Sequence, residues 1–175
     1  MSTIRIVVPD TGPLITLAKL NALDALLVFK ADVRIVITDY VAFESTRRRS
    51  DFPDARAIHA FLRDNAGRIE IEATTGGANY MQLVKLHEQL ASKPSLAAQL
   101  GVDLTPPSDP GEMTIIEYVR GLVDKPPGTP ALIIAEDDYL LRDVAPLPGN
   151  AHVISTRAFL DALPLIAGLS AKPKL

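Results

Sequence analysis

The sequence predicts an α/β protein, a three-layer α/β/α sandwich built on a short, mainly parallel sheet. Three observations carry that expectation. The runs IRIVV (Ile4–Val8), VRIVIT (Val33–Thr38) and ALIIA (Ala131–Ala135) are apolar apart from Arg5 and Arg34 near their starts and the closing Thr38, and rich in β-branched residues, as strands covered on both faces are. Segments with apolar residues at helical spacing follow each run. A chain of 175 residues is also one domain by default, long enough to bury roughly 70% of its unfolded surface.

The elements follow in order. The first strand ends at Pro9 and delivers a carboxylate, Asp10. Thr11-Gly12-Pro13 then turns into a helix with Leu14, Ile15, Leu17, Ala18 and Leu20 apolar; Thr11 or Gly12 can cap it, and Pro13 suits the first helical position. Asn21–Phe29 continues helical. After the second strand, Thr38 or Asp39 caps a helix that carries Tyr40, Val41, Phe43 and Glu44 and ends at Arg47-Arg48-Arg49. Ser50–Pro53 breaks it, and Asp54 opens a further helix with Ala57, Ile58, Phe61 and Leu62 at core spacing. Arg68–Glu72 alternates like a short or edge strand.

Thr74-Thr75-Gly76-Gly77 reads as a loop, and Asn79–Ser92 as a helix. Ser95–Leu100 adds another turn or two. The section from about 76 to 107 is an insertion between core elements, too short to hold its own core. Asp109-Pro110-Gly111-Glu112 opens a helix to about Leu122. The third buried strand ends at Glu136-Asp137-Asp138, followed by a short helix over Tyr139–Val144, a last strand at His152–Ile154 and a final helix near Arg157–Leu163, capped by Ser155 or Thr156. Residues 1–166 thus form one domain, and 167–175 a loose tail.

Composition limits the function classes. The absence of cysteine removes disulfide frameworks and thiolate metal sites, and fits a reducing cytoplasm. No apolar run is long enough to span a membrane. A net charge of −3 argues against non-specific coating of nucleic acid, while leaving room for a local basic face or a metal bridging to phosphate. With no Trp and few aromatics, an extended base-stacking platform is not expected.

The acids carry the chemistry. In a parallel sheet with right-handed crossovers, strand C-termini and the N-termini of the following helices share one edge. Asp10, Glu44 and Asp137-Asp138 are placed there by their elements, and Asp109 and Glu112 join them only if the insertion delivers their helix. Such a group repels itself unless a cation neutralises it, and hard ions such as Mg²⁺ and Mn²⁺ take carboxylate oxygens and leave positions open for phosphate. Each acid has a plainer reading. Asp109 and Glu112 form a D-x-x-E capping box, Asp137-Asp138 suit a helix start, and Glu44 alone is an ordinary exposed helix residue. Arg47, Arg48 and Arg49 either face a phosphate backbone or offset a helix dipole. His59, His87 and His152 are too dispersed for a histidine site. Thr74–Gly77 lacks the lysine of a phosphate-cradling loop, and the apolar face of Met81–Leu90 is core, an oligomer contact or a groove for a partner peptide.

On VVPDTGPLITLAKL, VITDYVAFE, DPGEMTIIEYV and LIIAEDDYLLRDV followed by HVIST, the chain resembles the PIN-domain nucleases. It looks most like the small prokaryotic subgroup in which D-x-G-E precedes the last acidic strand end and DD…R follows. The resemblance covers all but about 76–107 and the tail. It implies an α/β/α sandwich that cleaves RNA with Mg²⁺ or Mn²⁺, often as the toxin of a toxin–antitoxin pair. Residue by residue it implies Asp10, Glu112 and Asp137 as metal ligands, with Asp109 near Glu112 and with Asp138 or Glu136 as alternatives to Asp137. Glu44 becomes the remaining acid, holding a ligand water or acting as general base. Thr11 and nearby backbone N–H groups bind a phosphate oxygen, and Arg142 matches the arginine after the DD pair. The partners implied are RNA, an antitoxin protein and a second copy of the chain. A PIN-fold binding module that has lost hydrolysis is the alternative. A phospho-acceptor receiver would need an acid adjacent to the first-strand acid and a lysine at a late strand end, and has neither.

Overall fold

A computed structural model describes residues 4–101, 108–122, 129–141 and 147–171. One sheet contains β1 (Ile6–Pro9), β2 (Arg34–Thr38), β3 (Ile69–Glu72), β4 (Ala131–Ala135) and β5 (Ala151–Ser155). The strand order is β3-β2-β1-β4-β5, and every pairing is parallel. The helices are α1 (Thr11–Lys19), α2 (Asp39–Thr46), α3 (Pro53–Asp64), α4 (Thr75–Ala91), α5 (Pro94–Gln99), α6 (Pro110–Gly121), α7 (Asp138–Leu141) and α8 (Thr156–Ala171).

Every residue of β1 and β4 is buried, which requires cover on both faces of the sheet. One helical group, α1, α2, α3, α4 and α6, packs together; α8 packs with β4, β5 and a 3₁₀ turn at Leu23–Val28, where Phe29 stacks on Phe159 at 6.0 Å. This is the expected three-layer α/β architecture. As its alternation implied, β3 is an edge strand, tied to β2 through the Arg34–Glu70 ion pair.

Several local expectations are corrected. Asp10, not Thr11 or Gly12, is the residue before α1, and Pro13 falls in the third helical position, still among the N–H groups a helix leaves unpaired. Asn21, at φ 53°, stops α1, and the chain resumes as 3₁₀ with Leu23 and Leu26 buried at a three-residue spacing. Pro53, not Asp54, opens α3. Residues 75–77 are not a loop but the first turn of α4, whose start is capped by Thr74 Oγ1 accepting from Gly77 N at 2.9 Å. The final helix continues past Pro164 to Ala171, so the expected tail is helical through 171. Phe159, Leu160, Leu163 and Ile166 pack that helix on the core, offsetting the hydrogen bond that Pro164 removes.

Register fixes the functional edge. Pro9 pairs with Ile134, and Asp10 N extends that ladder by donating to Ile134 O at 2.9 Å. Val7 pairs with Ile35, so Thr38 ends β2 level with Asp10. The ends of β1, β2 and β4 therefore lie side by side, the arrangement in which open α/β sheets form their crevice.

Candidate functional site

Asp10 sits at the bottom of this crevice, 5% exposed, and its Oδ1 has no hydrogen-bond partner. Glu44, near the end of α2, is half-buried above it, with Oε2 accepting from Thr11 Oγ1 at 2.6 Å. The first turn of α6 closes the third side. A Cβ built on Gly111 would lie 3.2 Å from Asp10 Oδ1, 3.5 Å from Glu44 Oε2 and 3.7 Å from Thr11 Oγ1. The helix opened by Asp109 is thus delivered to the strand edge, as the sequence reading required. What holds it is a buried hydroxyl chain. Thr114 Oγ1 donates to Gly111 O at 2.7 Å, which leaves Thr38 Oγ1, 2.8 Å away, as the donor to Thr114. Both threonines are 0% exposed, so an unpaired hydroxyl there would be costly and the contact pins α6 to β2.

Asp109 does not form the expected capping box. Its backbone is left-handed, φ 50° and ψ 43°, and its side chain makes no capping bond. A capping side chain needs extended backbone at that position to reach back over the first turn. The plainer explanation for Asp109 therefore fails, and its charge instead bears on Glu112.

The electrostatics show which acids share the crevice. The Asp10 carboxyl is raised from 3.8 to about 7, by burial first and then by the charges of Glu112, Glu44 and Asp137, with the Thr11 backbone N–H partly offsetting them. Glu112 is raised by burial first, then by Asp137, Asp109 and Glu44, against its own backbone N–H. Asp137 acts on both. Among the described residues no three carboxylate or histidine side chains are gathered closely enough to hold a cation as they stand. Like charges at low dielectric spread apart, and two of these acids are held by local bonds: Glu44 by Thr11, and Asp137 by Tyr139 N at 2.6 Å. The donor set nevertheless fits a hard divalent cation. It is all oxygen, it contains a buried carboxylate oxygen with nothing to bind, and the missing Cβ of Gly111 keeps the space beside that oxygen clear.

The remaining expected residues are placed as follows. Glu136 Oε1 accepts from Thr156 Oγ1 at 2.7 Å, a strap from the end of β4 to the start of α8. Asp138 is the exposed first residue of α7. Arg47 and Arg48 are exposed beside the crevice. Arg47 reaches Glu88 of α4 at 3.2 Å, and Arg48 reaches Asp51 at 3.5 Å. They share with Glu44 the wall of an open cavity of about 850 Å³ between α1, the end of α2 and the start of α3. Arg142 lies outside the described residues. Sequence reasoning missed Gly111 and Thr114, took Thr38 only for a helix cap, and named Glu136 as an alternative ligand rather than as a strap to α8. A glycine in a first helical turn, where alanine is the better helix former, is the local sign of a close approach and was available in DPGE.

The fold and crevice define a class: a parallel α/β sandwich with a carboxylate cluster at the C-terminal edge of its sheet. No protein-family model and no curated protein sequence matches the chain. Among solved structures it is similar to a chain of the crystal structure of VapBC2 from Rickettsia felis bound to a DNA fragment from their promoter. The identity is 12% and the TM-score 0.47, over 86% of this chain and 98% of that one. That likeness carries no inference about the chemistry of this chain.

Proposed function

We propose that the protein is a PIN-type endoribonuclease that hydrolyses RNA phosphodiester bonds with Mg²⁺ or Mn²⁺. The observation that carries the reading is Asp10 Oδ1: buried, without a partner, and surrounded by the charges of Glu112, Glu44 and Asp137. Buried carboxylate oxygens that serve only the fold find donors, and this oxygen has none. In this reading Asp10, Glu112 and Asp137 hold the cation, with Asp109 and Asp138 as neighbouring ligand candidates. Such an ion, when bound, would supply an activated water and charge neutralisation at the phosphate. Glu44 takes the proton from the attacking water at a carboxylate oxygen. Thr11 Oγ1 orients Glu44, which commits its proton and makes Thr11 a positioning residue rather than the phosphate ligand the sequence implied. Arg47 and Arg48 receive flanking phosphates. The resemblance on the four motif stretches extends the proposal to a cytoplasmic, homodimeric toxin held by an antitoxin protein. Among the described residues no helix is long and apolar enough to cross a membrane.

The experiment is cleavage of a mixed RNA pool with Mn²⁺ by wild type and Asp10→Asn. Cleavage by wild type that chelation stops and Asp10→Asn lacks is the expected result; equal cutting by both variants, or cutting in excess chelator, refutes the site. One observation favours the binding-module alternative, namely that the acids converge without closing. A module of that kind shows no rise in melting temperature on Mn²⁺ addition, whereas a competent site does.

A further inference from the structure

The cavity of about 850 Å³ is not accounted for by the acid cluster, although Glu44 lines both. Its floor is apolar, from Ile15 and Ala18 of α1 and the ring of Phe52, which is 43% exposed. Its rim carries three cations, Lys19, Arg47 and Arg48, against two acids, Glu44 and Asp54, a positive balance in a chain whose net charge is −3. The Arg48 guanidinium lies over the Phe52 ring, 4.6 Å from its centroid, which holds the ring in place. The Arg47–Glu88 and Arg48–Asp51 pairs are exposed, and pairs of that kind contribute little and yield to a stronger anion. Apolar floor, flat ring and positive rim, continuous with a phosphate-facing site, match one kind of ligand: an anionic chain whose units carry flat, weakly polar faces. One ring also agrees with the scarcity of aromatics, since a single stacking position needs no platform.

We infer that this groove is the subsite for the nucleotide next to the scissile phosphate, its unpaired base lodged against Phe52 and the Ile15–Ala18 floor and its phosphate facing Arg47, Arg48 and Lys19. The inference rests on the nuclease reading for the position of the scissile phosphate. It requires the base to be unpaired there, because a base held in a duplex cannot enter the groove.

The test is fluorescence anisotropy on the full chain in chelator, so that nothing is cut. The probes are a labelled unstructured RNA oligonucleotide, its duplex, and an abasic strand of equal length. Wild type is expected to bind the intact single strand at least about fivefold more tightly than the duplex or the abasic strand. Phe52→Ala removes that advantage and leaves abasic binding unchanged, Phe52→Tyr restores it, and Lys19→Glu weakens both single strands. A Phe52→Ala protein that binds the intact strand like wild type overturns the subsite. So does a duplex bound equally well, or a groove that takes an apolar peptide and no RNA. Mn²⁺-dependent cleavage of the same strand is scored in parallel. Cleavage that depends on Asp10, with binding indifferent to Phe52, removes the subsite and leaves the nuclease. Binding that depends on Phe52, without cleavage, removes the nuclease and leaves the groove.

Discussion

The starts of α4 and α6 both meet carboxylates, and only the first satisfies them. At α4, Glu117 accepts from Thr75 N at 2.8 Å and Gly76 N at 2.9 Å, while Asp39 Oδ1 accepts from Thr74 Oγ1 at 2.8 Å and Tyr40 N at 3.0 Å. At α6, the first turn also approaches a carboxylate, Asp10, yet its Oδ1 receives no bond. Both approaches depend on a glycine, Gly77 in one and Gly111 in the other. The first is a joint, in which negative charge meets unpaired N–H groups at the positive end of a helix. The second places negative charge beside negative charge and gains nothing for the fold, which is the mark of a site that works on something else.

The comparison breaks first on pH. The Asp10 carboxyl is raised from 3.8 to about 7, so between those values the folded chain holds more protons than the unfolded chain. Metal-free stability therefore falls as pH rises through that window, by about 4 kcal/mol if Asp10 acted alone. Asp10→Asn should flatten the slope and stabilise the metal-free protein at pH 8, as seen by denaturant melts at pH 4, 6 and 8. Asp39→Asn should do the reverse and lower stability, because it weakens bonds that exist.

The next contrast is between the glycines. A Cβ at position 77 would lie 2.1 Å from Asp39 Oδ1 and 2.6 Å from Thr74 Oγ1, so Gly77→Ala must push the cap apart. About 3 kcal/mol is expected, read as a fall in melting temperature. At position 111 the nearest atom is 3.2 Å away, and Gly111→Ala should cost under about 1 kcal/mol while blunting the response to Mn²⁺. A comparably small effect is expected for Glu117→Gln, about 1 kcal/mol, because at an exposed helix start it removes the charge and leaves one of Thr75 N and Gly76 N to water. If Gly111→Ala proves the more destabilising of the two glycine variants, the crevice is a packed joint and the distinction fails.

Much of the crevice was legible because its strands are coded locally. The β-branched runs ending at Asp10, Thr38 and Ala135 mark central strands, and a carboxylate placed directly after such a strand has few comfortable places to go. The α4 start was not legible. Thr75-Gly76-Gly77 has poor helix propensity and reads as a loop; the turn forms because Glu117 and Asp39, some forty residues away in either direction, bind its N–H groups and cap. Distance in sequence also hid the Thr38–Thr114 bond that delivers Glu112. The D-x-x-E capping pattern misled for the opposite reason. It is a purely local signal, and the left-handed backbone of Asp109 overrides it.

The most direct measurement is the melting temperature of the metal-free chain at pH 8 as Mn²⁺ is added, for wild type and Asp10→Asn. A buried carboxylate whose partnerless oxygen takes up a cation predicts a rise for wild type that saturates with Mn²⁺, and a curve for Asp10→Asn that starts higher and stays flat. Two curves that rise together, or a wild-type curve that does not move, would show that Asp10 holds no cation.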